Sequence, residues 1–123
     1  MDTVAKVSAY AEKVGYPIRV MGVPKTIDND LVGTDHTPGF GSAAKYIAVT
    51  MQEILRDTAV YTVPAVTIVE IMGRDAGWLT ASSALGRVVC GIEPDLVYLP
   101  ERAFSYDAFY ADVRKAWSGI PTW

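Results

Sequence analysis

Twelve residues, Pro24 to Asp35 (PKTIDNDLVGTD), gather three carboxylates (Asp28, Asp30, Asp35), Lys25 and two threonines between apolar flanks. The stretch is too charged for a core strand and too irregular for a helix. It reads as a loop at the end of a strand, where α/β proteins keep their chemistry. Two more loops have the same setting: GRDAG (73–77) after VTIVEIM, and Pro100-Glu101 after DLVYL. In an open parallel sheet such loops share the carboxyl edge, so Lys25, Thr26, Asp28, Asp30, Arg74 and Glu101 are expected to converge. Arginine and lysine at such an edge favour an anionic ligand, and phosphate fits best. Carboxylates beside them accept a proton or face a divalent cation. Basic groups, carboxylates and magnesium are the recurring parts of phosphoryl transfer. The residues alone also admit a magnesium-dependent hydrolase built on the Asp28/Asp30 pair, or a non-catalytic folded assembly module.

The elements that must position these loops follow from periodicity. Val4, Val7, Ala11 and Val14 predict a helix over 2–14, stopped by Gly15. IRVMGV (18–23) is apolar on both faces, as a strand in a covered parallel sheet is. A helix over 38–56 is expected next, with Thr37 as its cap, Pro38 in its first turn, and an apolar stripe including Ala44, Ala48, Met51 and Leu55. Its polar face reads as solvated. Residues 57–64 connect to a strand at 66–72, then come an Ala/Ser-rich helix (76–86), a strand at 95–99 and a helix at 106–117. The order α-β-α-β-α-β-α implies an α/β fold: one domain over 1–123, a parallel sheet with helices on both faces. Three strands make a thin sheet and neither end has a natural boundary, so a fragment of a longer protein is expected.

Composition removes several classes. Half the residues are hydrophobic, enough for an ordinary core, and the formal net charge of −3 comes without a basic run. Nucleic acid and acidic lipid are therefore not expected partners. One cysteine and one histidine make a zinc site untenable. Cys90, inside VVCGI, reads as a buried small hydrophobe. No apolar run reaches membrane-spanning length and no leader opens the chain, so the expected compartment is the cytoplasm. Glu70 reads first as a paired structural carboxylate, the alternative being that it lines the site, His36 as a solvated loop residue, and Tyr106, Phe109, Tyr110, Val113 and Trp117 as a core or domain-interface stripe.

The motifs also carry a resemblance. Lys25-Thr26-Ile27-Asp28-Asn29-Asp30 with Gly33-Thr34-Asp35 and a Gly-Phe-Gly-Ser helix start resembles the phosphofructokinase family, as do Met72-Gly73-Arg74 with Ala76-Gly77-Trp78-Leu79, and Pro100-Glu101. The three motifs keep the family's order across roughly residues 5–105. The resemblance implies a Rossmann-like three-layer sandwich, a partial phosphofructokinase fold, with magnesium as cofactor and fructose 6-phosphate as phosphoryl acceptor. Asp28 matches the proton acceptor for the sugar's 1-hydroxyl. Thr26, Ile27 and Asp28 match one sugar-phosphate contact segment, and Met72, Gly73 and Arg74 a second, with Arg74 near the transferred group. Glu101 matches a carboxylate that bonds sugar hydroxyls, and Asp30 one close to the metal. Lys25 and the wording MGRDAGWL resemble the pyrophosphate-dependent branch, the alternative donor being ATP.

Two departures stand out. The family's upstream glycine-rich phosphate loop and its downstream sugar-phosphate histidine and arginines have no counterpart here. Seven residues before Met72, where common bacterial enzymes carry an arginine that reaches a neighbouring subunit, this chain has Ala65. The resemblance still implies a homo-oligomer, and a segment inactive by itself.

Overall fold

The computed structural model describes residues 1–119. Helix α1 spans Asp2–Lys13. It ends because Gly15 takes a left-handed φ of 67°. That turn lets Tyr16 N–H reach Ala11 O at 2.9 Å and Gly15 N–H reach Glu12 O at 3.1 Å, the paired bonds that close a helix on glycine. Residue 120 onward, and with it the end of SGIPTW, lies outside the described residues.

Helix α2 spans Phe40–Thr58 and presents Ala44, Ala48 and Met51 to the interior. It begins two residues later than expected, with Gly39 rather than Thr37 at its cap. Gly39 has a φ of 93°, which glycine adopts without a steric penalty. Thr37 is used elsewhere, in the loop.

The Ala/Ser-rich stretch forms α3 at Trp78–Ser82, a 3-10 turn at Ser83–Leu85, and α4 at Gly86–Cys90. The helical run thus begins at 78 rather than 76 and extends to 90. Its interruption has a local cause. Ser82 Oγ donates to Leu79 O and Ser83 Oγ to Thr80 O, each at 2.6 Å. Such back-bonding competes with the helix ladder and bends it. Beyond the turn, Cys90 is exposed, its thiol donating to Gly86 O at 3.2 Å. The expectation of a buried cysteine is therefore corrected: in α4 only Gly86 faces inward, and Val88, Val89 and Cys90 face outward.

The principal packing joins α2 to α3. Small side chains on both let the helices approach closely, and Leu79, 1% exposed, fills the space between them. Helix α5, Tyr106–Ser118, is capped by Ser105, whose Oγ accepts from Ala108 N–H. Phe109 is half-buried against Tyr98 and Phe104, whereas Tyr106, Tyr110 and Trp117 are exposed. The expected core stripe is therefore only partly buried. Tyr98 Oη donates to Asp112 Oδ2 at 2.8 Å, tying α5 to the segment before it.

The three expected strands differ from the sequence pattern. Among the described residues, 18–23, 66–72 and 95–99 carry no regular secondary structure and share no backbone hydrogen bonds. A ladder needs a neighbour about 4.8 Å away, which local sequence does not supply. Nor has burial drawn the segments together, since Ile68 stays 75% exposed and Val23 83%. An apolar groove of about 550 Å³ separates 65–71 and 94–98 from α2 and α5.

Leu79→Ala should destabilise the chain by about 2–5 kcal/mol, because it empties the most deeply buried large apolar position among the described residues, 1% exposed. Urea unfolding followed by circular dichroism reads this, and a loss under about 1 kcal/mol would remove Leu79 from its central place. Partial desolvation, the hydrogen bond to Asp112 and that carboxylate's charge all raise the Tyr98 hydroxyl above its ordinary value of 10. A raised folded value means the tether's contribution is complete below the unfolded value and disappears as pH rises through the folded one. In a spectrophotometric titration, the difference between the unsubstituted and Tyr98→Phe profiles should show one tyrosine ionising above 10, and a midpoint at or below 10 would remove the tether.

Candidate functional site

The loop between residues 24 and 39 is held by a chain of side-chain hydrogen bonds. Asp28 N–H donates to Thr26 Oγ1 at 3.0 Å. Thr37, fully buried, donates its hydroxyl to Thr26 O at 2.7 Å. Its N–H donates to Asn29 Oδ1 at 2.9 Å, and Asn29 Nδ2 donates to Asp35 O at 3.2 Å. Asn29 takes a left-handed φ of 58°, a conformation that asparagine tolerates better than most residues. The loop is thus rigid at Thr26, Asn29, Asp35 and Thr37. The carboxylates of Asp28 and Asp30 take no part in these bonds.

The loop also sits on the start of α2. A Cβ on Gly39 would stand 3.3 Å from both Lys25 Cε and Ile27 Cγ2. Lys25 and Ile27 therefore cross the helix entry closely, with Lys25 and Asp30 exposed and Thr26, Ile27 and Asp28 half-buried. His36 is exposed as expected, its ring edge-on to Phe40 at 5.3 Å between centroids.

The segment that leads into the second loop faces the first loop across a cavity of about 430 Å³, lined by Ile27 on one side and by Glu70, Ile71 and Met72 on another, with α2 and Leu79 also on its wall. Glu70 is exposed and has no ion pair among the described residues. The expectation of a paired structural carboxylate is corrected, because Glu70 borders the cavity instead. Gly73 makes the tight turn that follows, where a Cβ would come within 2.5 Å of Ala76 O. Arg74, next along, is exposed.

The third loop is pinned to the second. Gly77 N–H donates to Glu101 Oε1 at 2.7 Å. A Cβ on Gly77 would stand 2.7 Å from Glu101 Oε2 and 3.0 Å from Leu99 and Pro100. A side chain at 77 would require these three neighbours to shift. Oε1 is engaged by the backbone, and Oε2 makes no hydrogen bond among the described residues.

The second and third loops are therefore linked directly by the Gly77–Glu101 bond, whereas the first shares only a cavity wall, through Ile27, with residues 69–72 that precede the second. Among the described residues no hydrogen bond or ion pair joins Asp28 directly to Arg74 or Glu101. Sequence reasoning missed three residues, Asn29, Thr37 and Gly77. An asparagine between two aspartates is a recognisable left-handed signal. The partners of Thr37 and Gly77 are distant in sequence and leave no local pattern.

Residues 1–119 match the model of the Phosphofructokinase family. The chain belongs to this family. A pyrophosphate–fructose 6-phosphate 1-phosphotransferase of Xanthomonas campestris pv. campestris (strain B100) is 52% identical over 116 residues, covering 93% of this chain and 28% of that enzyme. A sulfofructose kinase of Alkalicoccus urumqiensis is 45% identical over 118 residues, covering 95% of this chain and 31% of that one. Among solved structures, a pyrophosphate-dependent phosphofructokinase from Marinobacter aquaeolei superposes with a TM-score of 0.82 at 42% identity, over 96% of this chain and 31% of its own. The backbone thus follows the phosphofructokinase fold. The chain spans under a third of the length of these relatives.

The Gly77–Glu101 joint gives a stability test. Gly77→Ala should cost about 1–3 kcal/mol through overpacking. Glu101→Gln keeps an acceptor for Gly77 N–H and should melt close to the unsubstituted chain, whereas Glu101→Ala should melt lower. Equal melting of the Gln and Ala variants would show that the bond does not hold the two loops.

Proposed function

We propose that this segment forms the acceptor side of a phosphofructokinase that transfers a phosphoryl group, from pyrophosphate, to the 1-hydroxyl of fructose 6-phosphate, giving fructose 1,6-bisphosphate. The observation that supports this most is the first loop's hydrogen-bond network, which fixes the backbone at Thr26 and Asp28, within a motif matched to a sugar-phosphate contact, and leaves the Asp28 carboxylate unengaged. As the hydroxyl attacks phosphorus its proton passes to the Asp28 carboxylate, which the loop's hydrogen bonds leave free. Thr26 Oγ1 already accepts from Asp28 N–H, so its own proton is available to a ligand oxygen. Arg74 and Lys25 offset charge on the transferred group. Glu101 Oε2 accepts from a sugar hydroxyl, and Met72 and Gly73 line its approach.

Magnesium is the cofactor of this reading. Among the described residues no group of three or more acidic, histidine or cysteine side chains stands ready to cage a metal. Magnesium commonly takes only one or two carboxylates and completes its shell with phosphate and water. Asp30, with Asp28 beside it, fits that sparse donor set. The bound ion would neutralise charge on the donor phosphates.

The reading extends to the rest of the enzyme. The segments 18–23, 66–72 and 95–99 pair there as strands of a parallel sheet with helices on both faces, in a three-layer sandwich. The enzyme works in the cytoplasm as a homo-oligomer, in glycolysis, reversibly when pyrophosphate is the donor. Among the described residues no helix is long and apolar enough to cross a membrane. Lys25 favours pyrophosphate over ATP by the same motif resemblance. The likeness to a sulfofructose kinase supports a second reading in which the acceptor is a sulfofructose. Both readings use the same acceptor-side residues.

In a full-length enzyme that contains this segment, Asp28→Ser should lower turnover by about 10²–10⁴-fold, the usual contribution of a general base. Sugar-phosphate binding, measured by calorimetry, should survive. Near-normal turnover would sink the assignment of Asp28, and activity with ATP alone, in assays run beside pyrophosphate, would overturn the donor.

A further inference from the structure

We infer that Thr37, acting with Asn29, is a positioning residue for the reaction: its buried hydrogen bonds set the backbone that carries Thr26 and Asp28. The inference rests on the acceptor-side reading above and concerns a residue that touches none of the reacting atoms.

Three features carry it. Thr37 is fully buried although polar, and each of its polar groups in the network has a partner inside the same loop. A hydroxyl has a single proton to donate. The shorter contact, 2.7 Å to Thr26 O against 3.2 Å to Asn29 Oδ1, assigns that proton to the Thr26 carbonyl. Asn29 Oδ1 is then satisfied by Thr37 N–H, and Asn29 Nδ2 by Asp35 O. The links run without a break from Asp35 through Asn29 and Thr37 to Thr26, and from Thr26 Oγ1 to the Asp28 amide.

The second feature is conformational. Asn29 is held at a φ of 58° directly after Asp28. Turning the backbone left-handed at that point fixes the direction in which the chain leaves Asp28. Without its two side-chain bonds Asn29 would lose the contacts that maintain this turn. The third feature is what the lock omits. The Asp28 carboxylate takes no part in it, so the loop is rigid while the group that would receive the proton remains free.

Val is nearly isosteric with Thr but cannot donate, and Ser keeps the hydroxyl. A misplacement of about 1 Å can cost about 10²-fold in rate. The kinetic test uses a chimera in which residues 1–119 replace the matching segment of the Xanthomonas enzyme. Thr37→Val should lower kcat by roughly 10- to 100-fold with KM for fructose 6-phosphate changed by less than about 3-fold, and Thr37→Ser should recover most of the loss. If Val, corrected for the folded fraction, turns over like the unsubstituted chimera, the residue is structural only and the inference is overturned.

Asp28→Ser in the same chimera separates the two ideas. If it leaves turnover intact, the catalytic reading fails. If it abolishes turnover while Thr37→Val does not lower it, only the positioning role fails. Hydrogen exchange on the 123-residue chain supplies a readout independent of activity. The Asp28 and Thr37 amides should exchange faster in Thr37→Val than in Thr37→Ser, and equal exchange would overturn the lock.

Discussion

The packing of α3 on α2 is the constraint from which the site follows. The first chemical loop runs into α2 and the second into α3, so the spacing of the two helices is also the spacing of the two loops. Alanines on α2 and serines in the helical run of α3 keep that spacing short. Leu79 fills the gap between them and at the same time lines the floor of the cavity between Ile27 and Met72. A single side chain thus serves the core and bounds the site. The third loop has no such helix contact, and a hydrogen bond from Gly77 ties it in.

The three loops are rigid by different means. The first uses side-chain bonds to the backbone within its own length. The second uses a tight turn at Gly73, where only a residue without a side chain clears the Ala76 carbonyl. The third uses the close approach of a carboxylate to a backbone amide. Two of the candidate site side chains also act as supports: Thr26 Oγ1 accepts from Asp28 N–H, and Glu101 spends one oxygen on Gly77 N–H and retains the other. This division leaves Asp28, Asp30, Arg74 and Lys25 accessible while the backbone beneath the first two is fixed.

Much of this was legible from local sequence, and the failures share a cause. The end of α1 at Gly15, the length of α2 and the Ser105 start of α5 are set by neighbouring residues, and the pattern read them within two positions. The loops were also legible, because charge clusters stand out against apolar flanks. Thr37 was read as a cap since Thr before Pro commonly is one, whereas its partners lie eight and eleven residues upstream. Cys90 was read as buried from its apolar neighbours, but a five-residue helix can turn most of them to solvent. The segments 18–23, 66–72 and 95–99 have strand composition, and composition does not supply a partner for a ladder. Lys25 and MGRDAGWL pointed to the pyrophosphate branch, the branch named by the Xanthomonas and Marinobacter relatives.

The contact at Gly77 has a consequence for how this segment can vary. A methyl group there would press on Glu101, Leu99 and Pro100 together. Position 77 and the turn at 99–101 are therefore coupled: a side chain at 77 is accommodated only as the side chains of Leu99, Pro100 and Glu101 move away from it. Sequence change is freer on the outer face of α4, where Val88, Val89 and Cys90 meet solvent, although that helix begins only a few residues beyond the same joint.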